Sequence, residues 1–273
     1  MKKAEFVKQK SILSVWLVSY LLLFIFPFLV GIVIYIYGSD IVENEILRAN
    51  SVILQQNEQK IDAIVEKMKG LANQVSLSPS MQLAQKAGFP MDNTELYNAF
   101  ELSKNMSAMK SNANEILDFY VYLKNADYII SDYSNLSASE FYETYVPNEE
   151  YSYMQWKDLI LASNGPRFEK IVVNINGKKE SAVAYIQPIP MYQKNNYDSV
   201  VVLMTPENDL LESVKSDELF SKGSFIILDQ NNNTVATYGE SYDLDKIDFS
   251  QEGRIQSSWY DKEDVYKRQH ILQ

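Results

Sequence analysis

The chain has 273 residues, a formal net charge of −11, one histidine and no cysteine. An acidic balance of this size repels nucleic acid and anionic lipid, and a cysteine-free chain has neither disulfides nor thiol chemistry. The single histidine, His270, lies close to the C-terminal end. A histidine-based triad, general base or metal cluster in the body of the chain is therefore excluded.

Residues 1–11 form a basic tail, with Lys2, Lys3, Lys8 and Lys10 against Glu5. An uncharged apolar run follows over 12–37. At about 1.5 Å per helical residue it reaches roughly 39 Å, against a hydrocarbon core of about 30 Å. A cleavable export signal is the competing reading. Its apolar core spans roughly 7–15 residues and ends on small side chains. Here the run is longer, and Val33, Tyr35 and Tyr37 fill its end. Trp16, Tyr20, Tyr35 and Tyr37 lie toward its two ends, where amphipathic rings favour the membrane interface. Asp40, Glu43 and Glu45 on the far flank, set against the lysines before the run, predict a cytoplasmic N-terminus with residues 39 onward outside the cell.

Residues 38–78 read as a juxtamembrane long helix. A stripe in alternating steps of three and four holds Leu47, Asn50, Leu54, Asn57, Ile61, Ile64, Met68, Leu71 and Val75. That is a heptad seam, and its two asparagines suit register control in a parallel homodimer through 47–75. Packing of the same stripe on the chain's own downstream domain fits equally. Ser78-Pro79-Ser80 ends the helix.

A shorter helical region covers 92–114, with Asp92, Asn93 or Thr94 as cap. The pattern then turns to strands. Over 115–132, Leu117, Phe119, Val121 and Leu123 fall on one face and Tyr120 and Tyr122 on the other. Ser137 and Glu140 have capping-box spacing, so 137–146 reads as a helix, and 153–162 as another. Strands follow at 167–175, 180–190 and 197–206, the first two joined by Asn176-Gly177, a strong hairpin signal. Pro188 and Pro190 either end the second strand or push it to an edge. A short helix covers 207–215, and 223–239 reads as strand, asparagine-rich turn and strand. Runs of helices and runs of antiparallel strands make the fold class α+β.

This order resembles the extracytoplasmic sensor region of bacterial Cache-type receptors. More narrowly, it resembles the membrane-bound AraC-type regulators of Gram-positive bacteria. The resemblance is carried by "SYLLLFIFPFLVG", "ANQVSLSPSMQ", "ILDFYVYLKNADYIIS" and "GSFIILDQNNNTVA" in that order. It implies a PAS-like, Cache-like antiparallel sheet with flanking helices over 79–222, and the start of a second subdomain over 223–263. It also implies a small-molecule pocket beside the central strands, and a long helix that carries the signal to the membrane. Sensor histidine kinases share the layout and are the alternative output. Amino-acid-binding members carry Arg-x-Trp-Tyr before the central strands. Here "YMQWKDLILA" holds Trp156 with no arginine before it and Lys157 after it.

The chain shows no GxGxxG, GxxxxGK[ST] or HExxH pattern, and no catalytic residue, metal or cofactor is expected. Asp229, Asn231, Asn233 and Glu240 match a calcium loop in spacing, but Thr234 stands where that loop needs glycine, so a hairpin turn is the expectation. Tyrosine is abundant, 19 in all, and rings with polar tips suit a small-ligand pocket. Tyr120, Tyr133, Trp156 and Tyr185 are the ligand-site candidates, chosen for the place of the family's pocket. Residues 264–273 read as a non-native tail, because "DVYKRQ" matches a translated transposon end. The expected function is a membrane-anchored extracytoplasmic ligand sensor, read out by an AraC-type helix-turn-helix domain beyond this sequence. The expected partners are a small molecule, the membrane and a second copy of the chain, with no nucleic acid for this region. An anchored binding or scaffolding protein without signalling is the competing class.

Overall fold

The structure, a computed structural model, describes residues 4–147, 149–162, 165–175, 177–191, 197–215, 225–228, 234–238 and 269–271. The chain divides into two compact units, Met1–Gln55 and Gln56–Gln273. Helix α1 (Ala4–Ser76) is continuous, with Pro27 inside it. Within the first unit, the most apolar 18-residue stretch of Ser14–Ile46 has a mean hydropathy of 2.7, and none of that stretch is buried. The segment is long and apolar enough to cross a membrane.

In the second unit the end of α1 is followed by α2 (Pro79–Ala84) and α3 (Asn93–Lys110). The expected stop at Ser78-Pro79 is where α1 ends and α2 starts. Ser78 accepts from the Met81 N–H, and Pro79 opens α2, where a missing N–H costs nothing. Of the three candidate caps for α3, Asp92 serves, in a reciprocal box with Glu95.

Then come β1 (Asp118–Leu123), β2 (Tyr128–Ser131), β3 (Asn135–Ser137), α4 (Ala138–Tyr145), α5 (Tyr153–Leu161), β4 (Arg167–Ile175), β5 (Lys178–Ile189) and β6 (Ser199–Pro206). The six strands form one antiparallel sheet in the order β3-β2-β1-β6-β5-β4. Gly177 in the β4–β5 turn has φ +79°, the backbone the Asn-Gly signal anticipates. Pro188 lies inside β5, an interior strand, but pairing with β4 stops at Arg167↔Ile186. At Pro188 the strand is locally an edge, so its missing N–H breaks no ladder on that side.

The sheet is covered on both faces. Phe119, Val121, Leu123, Val201 and Leu203 pack with Met68, Leu71, Met81, Leu102 and Met106 of α1, α2 and α3. Tyr120, Tyr122, Val200, Val202 and Met204 pack with Phe141, Tyr142, Trp156 and Ile160 of α4 and α5. The alternation expected for β1 holds within the strand; Leu117, just before it, packs on the tyrosine side.

The later part of the heptad stripe is among the described side chains. Asn57, Ile61, Met68, Leu71 and Val75 are buried within the second unit, and Ile64 packs partly against its core. Intramolecular packing takes this stretch, so the homodimer seam through 47–75 does not stand over 57–75. Both readings predict the same periodicity, and here the chain's own α2, α3 and sheet cover the stripe. The side chains of Leu47, Asn50 and Leu54 lie outside the described residues.

Helix α6 (Glu207–Lys215) leads to β7 (Phe225–Leu228), β8 (Thr234–Tyr238) and β9 (Gln269–Ile271). β7 pairs antiparallel with β8, the expected hairpin, and parallel with β9. Asp229, Asn231, Asn233 and Glu240 of the calcium-like spacing lie outside the described residues. Buried Glu207 ties this sheet to the first: its Oε1 accepts from Lys170 Nζ at 2.7 Å and from the Thr237 N–H at 3.0 Å.

Candidate functional site

Two short helices place an aromatic cluster over the sheet. Ser137 and Glu140 form the expected capping box at the start of α4, and Ser152 and Gln155 form another at α5. These caps fix where each helix begins, and hence which residues face inward: Phe141, Tyr142 and Tyr145 from α4, Trp156 and Ile160 from α5. Ring centroids lie 4.9 Å apart for Tyr120 and Phe141, 5.0 Å for Phe141 and Tyr145, and 6.1 Å for Phe141 and Trp156, the last pair stacked. Phe141 is the hub.

The rings line a cavity of about 20 Å³ against β1, β4, β5 and β6. Its wall includes Asp118, Tyr120, Phe141, Tyr145, Tyr151 and Trp156. That volume holds roughly one water. Asp118 is the one acid in the wall among the described residues, and no lysine, arginine or histidine joins it. Its Oδ1 accepts from the Tyr133 hydroxyl at 3.1 Å. Burial pushes its carboxyl above the ordinary value; the Tyr133 hydrogen bond and Lys110 pull it back, and Asp132 adds to the rise. Lys110 itself is engaged elsewhere, with Asp132 Oδ2 at 2.9 Å and the Leu117 carbonyl at 2.7 Å. Burial, reinforced by the Asp118 charge, raises the Tyr120 and Tyr133 hydroxyls, so both stay protonated donors.

A second polar cluster fixes α5. Asp127, at φ +47°, accepts from Tyr122 at 2.7 Å, Lys157 at 2.9 Å and Tyr153 at 3.1 Å. The Lys157 ammonium also lies over the Tyr122 and Tyr153 rings, 5.8 and 5.2 Å from their centroids. At the far end of α5, Arg167 donates to the Leu159 carbonyl and Tyr197 to the Leu161 carbonyl, which satisfies two acceptors a helix C-terminus leaves open.

Three of the four candidates meet here. Tyr120 and Trp156 line the cavity, and Tyr133 reaches it through Asp118 and through Tyr145, 5.4 Å away. Tyr185 does not. It pairs with Leu203, so it faces α1, stacks near Phe168 at 5.0 Å and donates to Gln187 Oε1 at 3.0 Å. The site assignment for Tyr185 is corrected on strand parity: Ala184 and Ile186 face the cavity, so Tyr185 points to the opposite side. Gln187, on the same side, donates to Asn73 Oδ1 and Ser76 Oγ of α1, each at 3.2 Å. Asp118, the most informative polar group, is absent from the sequence-based candidates. Its only signal was an acid opening an otherwise apolar strand.

A wider, open groove of about 430 Å³ lies at the end of α3, lined by Ser107, Lys110, Ser111, Asn114 and Asp132. It has no aromatic wall and no enclosure, and Lys110 and Asp132 neutralise each other across it.

No family model matches the chain, and no curated protein matches it. Among solved structures it is similar to the sensory domain of the Campylobacter jejuni chemoreceptor CcmL with isoleucine bound. The identity is 16%, the match covers 69% of this chain and 71% of that one, and the TM-score is 0.38. It is also similar to the ligand-binding domain of the Pseudomonas aeruginosa amino-acid chemoreceptor PctC in complex with GABA, at 13% identity over 67% and 73% of the chains and a TM-score of 0.38. A third is the periplasmic sensory domain of another Campylobacter jejuni chemoreceptor, at 14% identity over 58% and 59% and a TM-score of 0.39. Likeness at these scores names neither ligand nor output for this chain.

Proposed function

We propose that this chain is the extracytoplasmic sensing region of a membrane-anchored receptor, with residues 79–222 and the end of α1 as the ligand-responsive domain. The observation that carries the reading is the aromatic-lined cavity with one carboxylate, set on one face of a sheet whose other face is packed by α1. Asp118 sits half-buried at the start of β1, where its carboxylate reaches the aromatic lining. Strands β1, β5 and β6 supply side chains to both faces. A ligand that widens the cavity therefore acts on the strands that hold α1. It shifts the equilibrium between two packings by its difference in affinity for them.

The apolar segment 14–46 supports anchoring, and the lysines before it support a cytoplasmic N-terminus. The resemblance of the quoted segments supports an AraC-type output, with a histidine kinase as the alternative. The test of sensing is thermal unfolding of the full chain in lipid nanodiscs against a panel of amines, amino acids, carboxylates, sugars and short peptides. A true ligand at about a hundred times its Kd adds roughly 2.7 kcal/mol of stability. A panel in which nothing shifts the transition, with Trp156 fluorescence equally unmoved, overturns the proposal.

A further inference from the structure

We propose that the cavity binds an organic ammonium group that carries no carboxylate beside it: a protonated amine rather than an amino acid or an organic acid. The inference rests on the sensor reading above and names the chemical class of its ligand.

The molecule already contains one filled site of this kind. Lys157 places its ammonium on the Asp127 carboxylate at 2.9 Å and over the Tyr122 and Tyr153 rings. Around Tyr120, two residues before Tyr122 on β1, the same kinds of group recur. Asp118 provides the carboxylate, and Tyr120, Phe141, Tyr145 and Trp156 provide the rings. Asp118 has one neutral donor, Tyr133, and the ammonium of Lys110 is held by Asp132 and the Leu117 carbonyl. An ammonium inserted here gains a charge-assisted hydrogen bond and aromatic faces together.

The same wall rejects a carboxylate. No cationic side chain lines the cavity among the described residues. Arg167 lies outside the lining, with its Nε on Glu169, its Nη2 on the Leu159 carbonyl and its buried Nη1 without a partner. An α-amino acid would place its carboxylate against Ile160, Ile171 and Val202 with no compensating charge, beside the like charge of Asp118. The cavity admits one water as it stands, so an amine must widen it. Val146 and Tyr151 are the wall residues outside any helix or strand, and widening the cavity at Tyr151 has to break the long bond, 3.3 Å, from the Val172 N–H to its hydroxyl.

The experiment uses the full chain in nanodiscs with three matched probes: pentylamine, its α-carboxylated form norleucine, and hexanoate. Pentylamine is expected to bind at least about tenfold more tightly than norleucine, the size of one charge contact at the site, with hexanoate silent. Asp118→Asn is expected to weaken pentylamine by about tenfold or more, while Glu143→Gln on the exposed side of α4 leaves it unchanged. Should Asp118→Asn not fold, Trp156→Phe tests the ring contribution, with weaker pentylamine binding expected. Norleucine or hexanoate binding as tightly as pentylamine, or amine binding indifferent to both variants, overturns the inference. Binding of a sugar or peptide without amine binding overturns it while leaving the sensor reading intact. Silence across the whole panel removes the sensor reading itself.

Discussion

Asp127 holds the β1–β2 turn against α5, and replacing it separates backbone from side-chain effects. Its φ of +47° lies in the left-handed region, where asparagine and aspartate are tolerated and alanine costs roughly 1–2 kcal/mol. Its carboxylate accepts from Tyr122, Lys157 and Tyr153. The ion pair with Lys157 is worth little, because the Asp127 side chain is 46% exposed; about 0.5 kcal/mol is a fair figure. Asp127→Asn keeps the backbone preference and one acceptor oxygen, and should cost about 0.5–1 kcal/mol. Asp127→Ala removes every acceptor, strands the hydroxyl of buried Tyr122, and adds backbone strain, so about 2–4 kcal/mol is expected. Asp127→Gly removes the acceptors without the strain and should fall between. Urea unfolding of the full chain in detergent, followed by circular dichroism, measures the order. Because Tyr153 and Lys157 flank Trp156 on α5, the alanine variant should also shift Trp156 emission to the red. Equal losses for asparagine and alanine, or glycine no worse than asparagine, would refute the reasoning.

The buried Asn57 amide has a Nδ2 without a hydrogen-bond partner, so Asn57→Leu should stabilise the fold by about 1–2 kcal/mol in the same assay. Met68 is buried in the chain's own core, so a Met68→Cys variant should resist maleimide in the folded protein and form no disulfide between copies; rapid labelling would return the stripe to a dimer seam. Three carboxyls set the pH dependence, two in one direction and one in the other. Glu115 is held low, first by the Lys67 hydrogen bond; Asp127 is held low because hydrogen bonds from Lys157 and Tyr122 outweigh the effect of burial. Their stabilisation is complete above the unfolded value near about 4 and is lost as pH falls through the lower folded value. Asp118 is raised, so the native state holds its proton longer than the unfolded chain and stability falls as pH rises across that window. Asp118→Asn should therefore stabilise the protein at pH 7 and change little at pH 4, as thermal melts at the two values will show.

Much of the fold was legible where a local rule acts alone. Ser137 and Glu140 cap α4 because the box needs only their spacing. Gly177 turns the hairpin because its backbone angle excludes most other residues. Phe119 and Tyr120 part to opposite faces because a strand has a period of two. The candidate site was legible only in its aromatic half. Tyr185 was misplaced because "SAVAYIQPI" is buried on both sides, and an apolar run in a doubly covered strand carries no sign of which parity faces which layer. The stripe on α1 looked alike for a partner helix and for the chain's own core, since both demand apolar residues every three to four positions. Asp118 and the Asp127 cluster depend on pairings such as Asp127 with Lys157, set by the sheet register rather than by any spacing along the chain.

The geometry of β5 limits how the two faces can be coupled. A strand does not compress, and a close-packed core answers an inserted group by displacement. Ala184 and Ile186 line the cavity, and their neighbours Tyr185 and Gln187 face α1. Gln187 is buried, at 1% exposure, and its amide donates to Asn73 and Ser76 on adjacent positions of one helix face. Both bonds are already 3.2 Å long. A slide of α1 by one residue, about 1.5 Å, carries both acceptors out of reach. The amide then has to find new partners or bear the cost of a buried, unmade bond, on the order of 1–3 kcal/mol. Gln187 thus marks one helix position against the sheet, and a displacement of β5 from the cavity side has to move α1 with it or break that mark.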